Sequence, residues 1–272
     1  MAMNPKLLRP LATLDPDVAA FRAASGATNV TGLNRLAVYL KGQSLWDYAR
    51  FYPMKSSQNA GSGSTVYGLG GLTSSNMTLV NSPTWGSDGV TFTSASTQYG
   101  NLGDVFDGGA MAVFGRVAFT AEPTLQESLV GVYASGANKR SFIVSRLGNV
   151  SGDPFRFLAS TDGVASSDYR SSAYVSSTDM ECIVATVSDS GSVSLYQDKQ
   201  SRSISLYGGI ALTTAPYNSD LPVFFSAYNS GGADVPLNFS DLIANSLLFM
   251  SGAGLSLTTT QRETITDLIN AL

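Results

Sequence analysis

The stretch YGLGGLTSSNMTLVNSPTWGSDGVTFTSASTQYGNL, residues 67–102, is the part of the chain from which the fold can be predicted. It contains three short apolar runs, at residues 77–80, 90–92 and 99–102, and turn-forming residues separate each run from the next. Asp88-Gly89 stands between β-prone residues, which is a strong local signal for a hairpin because glycine adopts positive φ without a steric cost. The stretch therefore predicts a set of short antiparallel strands.

The same stretch resembles the opening of a laminin-G-like or concanavalin-like jelly-roll sandwich. In that family an N-G-P-x-W-type turn leads into a G-x-x-F-x-x-x-x-x-Y strand pair. The matching positions in this chain are Asn81, Pro83, Trp85, Gly89, Phe92 and Tyr99. The resemblance implies a mainly β fold, a concanavalin-like jelly-roll β-sandwich with a short helical N-terminal segment and a C-terminal helix. Such sandwiches recur in bacteriophage virion proteins, and the sequence pattern of residues 67–102 is most similar to those.

The composition supports a large sandwich and excludes several kinds of chemistry. Of 272 residues 43% are hydrophobic, and only 13% are charged, against roughly 25% in typical soluble domains. A formal net charge of −4 argues against nucleic acid as a partner, since phosphate binding needs clustered Lys and Arg. The chain has no histidine, which removes Ser-His-Asp catalysis and the usual zinc and non-haem iron sites.

The single cysteine, Cys182, lies in an apolar run and is interpreted as a small buried hydrophobe rather than a reactive thiol. No apolar run reaches about 18 residues, so no membrane insertion is expected. The N-terminus lacks the long apolar segment of a signal peptide. We therefore expect synthesis in the cytoplasm, and the resemblance to phage proteins implies a host cytoplasm and a final location in the virion.

Four predicted helices lie at the ends of the chain or near them. Asp15 followed by Pro16 is typical of a helix start, and Gly26 is typical of the end of that helix. Leucines at a spacing of three to four residues predict a second helix that ends at Gly42. Residues 43–52 are predicted to be helical up to Pro53. At the C-terminus, Thr258-x-x-Gln261 forms a capping box before a helical apolar pattern.

Between these ends the chain reads as strands. Residues 110–120, 155–159, 169–174, 221–228 and 239–250 are predicted strands, and 180–197 is predicted as a hairpin around Asp189-Ser190-Gly191. In the resembled family a strand of this kind ends in Y-x-D-G, whereas this chain has Lys199 in place of the glycine, so a different turn is expected. The predicted division is a segment 1–55 for attachment, a flexible linker 56–64 and the sandwich 65–272.

Two interpretations of the apolar and aromatic N-terminal residues stay open. They could pack the helical layer onto the sandwich, or they could form an assembly interface, where Trp and Tyr often act as anchors. The candidates for that interface are Leu7, Leu8, Leu11, Leu14, Phe21, Trp46, Tyr48, Phe51 and Tyr52. With it we expect a homo-oligomer and contacts with other virion proteins.

Candidate sites for ligands are few. Glycosidases with this sandwich carry paired carboxylates, but no glutamate here has an acidic neighbour at i+2 or i+4, so we predict no enzyme. Sugar binding would use an exposed aromatic residue in a loop, and Trp85, Tyr217 and Tyr228 are the candidates. No cofactor is predicted. No motif supports calcium, but calcium at loop tips stays an open alternative, and its donors would be Asp88, Asn101, Asp104, Asp107 and Asp234.

The favoured functional hypothesis is a structural protein displayed on a phage particle, as capsid decoration, head fibre or tail protein. A carbohydrate-binding adhesin for a host surface glycan is the first alternative, and a glycan-cleaving enzyme is the second.

Overall fold

The structure is a computed structural model that describes residues 13–72, 76–106, 108–120, 126–133, 140–148, 154–171, 179–218, 221–229, 236–237 and 239–272. The predicted mainly β sandwich is confirmed. Two sheets, A and B, face each other across an apolar core, and the described helices cover the outer side of sheet A.

The helices are α1 (Pro16–Ser25), α2 (Thr31–Gly42) and α3 (Thr259–Asn270). α1 and α3 begin where the sequence predicts, and α2 ends at Gly42 as predicted. Asp15 caps α1 by accepting from the backbone N–H of Asp17, and Gly26 ends it at φ 71°. Both hydrogen bonds of the capping box form at the start of α3. None of these described helices has the length and apolar character that a membrane crossing needs.

Sheet A has eight strands in the described residues. Its order is β14 (Gln200–Arg202), β13 (Val193–Gln197), β12 (Glu181–Val187), β7 (Met111–Phe119), β19 (Leu242–Ser251), β5 (Val90–Phe92) and β4 (Thr84–Trp85), and β1 (Ala49–Pro53) also pairs with β19. All these pairs are antiparallel.

Sheet B has eleven strands in the described residues. Its order is β15 (Ile204–Gly208), β11 (Ser167–Ser171), β10 (Phe155–Ala159), β9 (Arg140–Leu147), β8 (Gln126–Tyr133), β16 (Phe224–Phe225), β6 (Tyr99–Asn101), β3 (Met77–Val80) and β2 (Thr65–Val66). The short strands β17 (Tyr228–Asn229) and β18 (Pro236–Leu237) join it beside β8, through one parallel bridge.

The strands predicted in residues 67–102 are confirmed, but they belong to different sheets. β3 and β6 pair in sheet B, whereas β4 and β5 form a hairpin at the edge of sheet A. The hairpin turns where Asp88-Gly89 predicts it. Gly89 has φ 149°, and a Cβ there would lie 2.0 Å from the carbonyl oxygen of Ala244, so β19 can approach this closely only because the residue is glycine.

Sheet A is apolar on both faces. Its inner face, with Val113 and Phe249, packs against sheet B in the central core. Its outer face, with Phe114 and Leu248, packs against the helices in a second core that includes Ile265 of α3, which we call the helical-layer core. This explains why residues 110–120 read as a nearly continuous apolar run.

The helix predicted over residues 43–52 is wrong. A short 3₁₀ turn at Trp46–Tyr48 leads directly into β1, which pairs with β19 in the register Phe51↔Leu248. The aromatic residues there alternate between faces, because Phe51 enters the helical-layer core and Tyr52 the central core. Pairing with a distant strand outweighs the local preference.

The structure also corrects the flexible linker predicted at 56–64. Gln58 and Asn59 are each only 2% exposed. The Asn59 amide donates to the backbone oxygens of Pro53 (2.8 Å) and Tyr67 (2.9 Å), and its oxygen accepts from the N–H of Tyr67 (3.0 Å). Buried hydrogen bonds of this kind order the segment although its composition is that of a linker. The described residues 13–55 pack as part of the sandwich.

The predicted hairpin at 180–197 is confirmed as β12 and β13. The following turn, where the family glycine is missing, lies at Asp198-Lys199 between β13 and β14. Asp198 takes the positive φ there (52°), which aspartate tolerates better than most residues. Its carboxylate also accepts from the Cys182 backbone N–H at 3.0 Å.

Candidate functional site

Charged side chains collect on the outer face of sheet B, the side away from the central core. On β10, Phe155 and Phe157 point into that core, and strand alternation places Arg156 on the opposite face. In the antiparallel register, Arg156 pairs with Arg170 and Leu158 with Asp168. The alternation of β11 therefore places Asp168 and Arg170 on the same outer face as Arg156.

One carboxylate lies between two guanidinium groups. Arg156 binds Asp168 through two parallel hydrogen bonds, Nε to Oδ1 at 3.0 Å and Nη2 to Oδ2 at 3.1 Å. Arg170 donates to Oδ2 from Nη2 at 2.9 Å and from Nε at 3.3 Å. The side chains are between 11% and 19% exposed. Bidentate pairing in partial burial fixes the planes of both guanidinium groups.

The hydrogen-bond network continues across β8 and β9. Nη1 of Arg156 donates to Oε1 of Gln126 at 2.9 Å, and Nε2 of Gln126 donates to the Ser145 hydroxyl at 3.2 Å. Neutral amide and hydroxyl groups thus lie next to the charged pair, which gives this face hydrogen-bond donors and acceptors of several kinds.

An aromatic ring borders this network on β15, which lies at one edge of sheet B among the described strands. Tyr207 is 69% exposed, and the Arg170 guanidinium carbon lies 3.4 Å from the centroid of its ring. A cation–π contact of this geometry holds one face of the ring, and the exposure of the residue leaves the other face to solvent. We call these side chains the sheet B cluster: Gln126, Ser145, Arg156, Asp168, Arg170 and Tyr207.

The sequence analysis did not single out this cluster. Strands were predicted at 155–159 and 169–174, and the pattern Phe-Arg-Phe at 155–157 already indicates an arginine on the solvent side of a strand. The weaker signal is Asp168-x-Arg170, two charges that share a face at strand spacing. What the sequence lacked was the pairing of β10, β11 and β15.

The three aromatic residues predicted for glycan binding lie in separate places. Trp85 is half-buried against the central core, and its Nε1 donates to the Gly63 backbone oxygen at 2.9 Å. Tyr217 is half-buried in the segment whose backbone N–H bonds the Ser160 oxygen. Tyr228 lies on β17. These positions do not form one surface in the way that the sheet B cluster does.

Of the residues predicted for an assembly interface, Leu7, Leu8 and Leu11 lie outside the described residues. The side chains of Phe21, Phe51 and Tyr52 pack inside this chain, where each is at most 6% exposed. They are therefore not available for an interface with another chain. The partly buried members pack against the helical-layer core, and they are Leu14, Trp46 and Tyr48.

Cys182 is fully buried beneath α3, as predicted, and burial raises the pKa of its thiol. In the described part of the chain, no group of three or more His, Cys, Asp and Glu side chains could hold a metal ion. Of the calcium donors considered, Asp107 and Asp234 lie outside the described residues, and the Asn101 amide oxygen accepts from the Gly103 N–H at 2.8 Å. Calcium binding stays untested.

Comparison with known proteins places the fold. No protein-family model matches the chain, and no curated protein matches it by sequence. Among solved structures it is similar to a Trypanosoma rangeli sialidase in complex with a difluorinated nononic acid sugar, with a TM-score of 0.55 and 13% identity over 81% of this chain and 33% of the sialidase.

Two binding domains of botulinum neurotoxins are also similar. The ligand binding domain of serotype D, in complex with N-acetylneuraminic acid, has a TM-score of 0.54 and 8% identity over 83% of this chain and 52% of that one. The binding domain of neurotoxin DC, in complex with rat synaptotagmin II, has a TM-score of 0.52 and 8% identity over 80% and 51%. The chain thus spans a third to a half of these proteins, and identities this low show the fold alone.

These similarities correct one prediction. From the missing histidine and the unpaired glutamates we predicted that the chain is not an enzyme. That prediction is contradicted, because the structures that share its fold include sialidases, which are enzymes. Neurotoxin binding domains share the same fold, so the sandwich serves proteins of both classes and carries no argument against catalysis.

Proposed function

We propose that this chain is a carbohydrate-binding β-sandwich and that the sheet B cluster holds the sugar. The observation that carries the proposal is the Tyr207 ring, which is held on one face by Arg170 and 69% exposed. Because the orientation of the Tyr207 ring is already fixed, little side-chain entropy is lost when a ligand binds to it. Tyr207 is therefore suited to stack against the apolar face of a pyranose ring.

The neighbouring side chains supply hydrogen-bond donors and acceptors for the hydroxyl groups at the edge of a sugar ring. A pyranose presents hydroxyl groups that both donate and accept hydrogen bonds. Arg156 and Gln126 donate, Asp168 accepts, and the Ser145 hydroxyl does both. Because these groups already bond one another, their positions are set before a ligand binds, and the entropy lost on binding is reduced.

The comparisons support the proposal at the level of the fold. The similar neurotoxin domain was solved with N-acetylneuraminic acid and the similar sialidase with a difluorinated sugar. They do not say which surface of this chain would bind, so the site rests on the geometry of the sheet B cluster.

A glycan array followed by solution titration tests the proposal. For any glycan that binds, Tyr207→Ala should weaken binding about tenfold or more, because the stacking surface is lost. Tyr207→Phe keeps the ring and should bind nearly as well. Ile210→Ala removes another exposed apolar side chain from the following loop (75% exposed) and serves as the control. Binding that survives Tyr207→Ala would place the site elsewhere, and an array without signal would overturn the proposal.

We further propose that the domain works on the surface of a bacteriophage particle, as a homo-oligomer in contact with other virion proteins. The support is the resemblance of residues 67–102 to phage sandwiches. Because β1 belongs to sheet A, removal of the first 54 residues would break the fold, so the test uses intact protein. Mass spectrometry and antibody-labelled electron microscopy of purified particles should detect it, and particles that lack it would refute this location.

A further inference from the structure

The sheet B cluster is positively charged within an acidic chain. Arg156 and Arg170 share the single carboxylate of Asp168, so the cluster has one more positive charge than negative charges. The whole chain has a formal net charge of −4. An anionic ligand would therefore be attracted to this face more than to the average surface of the molecule.

The two arginines differ in how many of their donors are used. Each of the three guanidinium nitrogens of Arg156 donates a hydrogen bond. Nε and Nη2 donate to Asp168, and Nη1 donates to Gln126. Arg170 directs Nε and Nη2 towards Asp168. Its Nη1 has no hydrogen-bond partner among the described residues. The outer end of the Arg170 guanidinium, which carries Nη1 and the second N–H of Nη2, is thus available beside the Tyr207 ring.

Resting on the proposed function, we infer that the glycan is acidic, that one of its sugar rings stacks on the free face of Tyr207, and that a carboxylate on a neighbouring residue of the glycan binds the outer end of the Arg170 guanidinium. A planar carboxylate matches two parallel N–H donors. The guanidinium lies on one face of the Tyr207 ring, 3.4 Å from its centroid, and the sugar stacks on the other face. The carboxylate therefore reaches the guanidinium past the edge of the ring, so it belongs to a residue of the glycan next to the stacked one.

The charge of the cluster also distinguishes carboxylates from more highly charged groups. A singly charged carboxylate balances the one excess positive charge. A phosphate that carries close to two negative charges would exceed that excess and lie near the Asp168 carboxylate, where like charges repel. The ligand class that fits is an oligosaccharide end in which one residue carries a single carboxylate and its neighbour stacks on Tyr207.

The test compares 3′-sialyllactose with lactose, an acidic and a neutral glycan that share the same disaccharide, by titration at low and at physiological salt. We expect at least about tenfold tighter binding of the acidic glycan, since a bidentate charge-assisted contact reaches this magnitude, and a smaller preference at higher salt. Arg170→Gln should remove the preference while lactose binding remains, which shows that the site is still folded.

Two further variants complete the experiment. Arg170→Lys keeps the charge but loses the planar fork and should retain only part of the preference. Arg22→Gln makes the same change of net charge on α1, which lies on the side of sheet A away from sheet B, and should leave the preference unchanged.

The outcomes separate the inference from the proposed function. Equal binding of both glycans that depends on Tyr207, or a preference that survives Arg170→Gln, would overturn the acidic ligand and leave the carbohydrate-binding proposal standing. If no glycan of the array binds, both are overturned.

Discussion

The two sheets of this sandwich use their outer faces in opposite ways. The outer face of sheet A is apolar and covered by helices, and Phe114 at its centre is fully buried. The outer face of sheet B carries two arginines, an aspartate and the exposed Tyr207. One face thus stabilises the fold, while the other presents fixed polar groups and an aromatic ring to solvent.

The difference matters because a binding surface needs a rigid support. Side chains hold a productive geometry when the elements beneath them are locked by packing. Sheet B receives that support from the central core, and sheet A is itself supported from outside by α1, α2 and α3. If this division of labour is correct, substitutions on the outer face of sheet A should change stability, and substitutions on the outer face of sheet B should change binding.

The largest expected effect is that of Phe114→Ala. The side chain lies between β7 and the helices, so its removal should leave a cavity and cost about 3–5 kcal/mol of unfolding free energy. Urea denaturation followed by circular dichroism measures this. Tyr207→Ala is the matched aromatic truncation on sheet B and should change stability by less than about 0.5 kcal/mol. Similar costs for the two variants would contradict the comparison.

The second prediction uses Cys182 as a reporter of the covered face. Its side chain is fully buried in the helical-layer core and burial raises the pKa of the thiol, so little thiolate is available for reaction. A thiol reagent should label the native protein at least about 100-fold more slowly than the unfolded chain, because reaction requires local opening.

A truncation in α3 sharpens this measurement. Ile265→Ala removes a buried contact of α3 and should accelerate labelling, whereas Ile210→Ala on the sheet B side should leave the rate unchanged. Rapid labelling of the native wild-type protein would mean that the helices do not cover sheet A as the structure describes.

The third prediction concerns the edge of sheet A. Gly89→Ala would place a methyl group 2.0 Å from the Ala244 carbonyl oxygen at a backbone φ of 149°, and the resulting strain should cost about 1–3 kcal/mol. Gly208→Ala on β15 meets nothing within 4 Å and should be nearly neutral. Equal stability of the two variants would show that the β4–β5 hairpin is not held against β19.

Local signals in the sequence were sufficient for much of the fold. The Asp-Gly turn, the Asp15 cap and the Thr258–Gln261 capping box each involve residues within a few positions of one another, and each forms as predicted. Their physical causes, positive φ and unsatisfied N–H groups at helix starts, act at short range and can therefore be recognised in the sequence.

The features that the sequence did not reveal depend on distant pairing. β1 was predicted as a helix because its strand partner β19 is about 200 residues away, which is beyond any local pattern. The sheet B cluster has the same origin. Strand alternation assigns Arg156 and Arg170 to solvent-facing positions, but only the order β15-β11-β10 brings them together with Tyr207.

The smallest expected effect concerns the ion pairs that join α1 to α2 in the layer over sheet A. Asp15 Oδ1 accepts from Lys41 Nζ at 2.7 Å, and Asp17 binds the same amine. Burial by itself would raise the pKa of Asp15, but the hydrogen bonds from Lys41 and from the Asp17 N–H outweigh it, so the pKa lies below its usual value. For Lys41, burial would lower the pKa, yet the hydrogen bonds to Asp15 and Asp17 raise it.

The sign of each shift sets the pH range. The contribution of Asp15 is present above its unfolded pKa of about 3.9 and is lost as pH falls through its lower folded value. The contribution of Lys41 is present below about pH 10.4 and is lost as pH rises through its higher folded value. Asp15→Ser keeps a helix cap but removes the charge, so at pH 7 it should cost less than about 1 kcal/mol. In urea denaturation its deficit relative to wild type should shrink as pH falls below the unfolded pKa of about 3.9 and disappear once pH is below the lower folded pKa. A deficit that is independent of pH would show that the charge of Asp15 does not contribute to it.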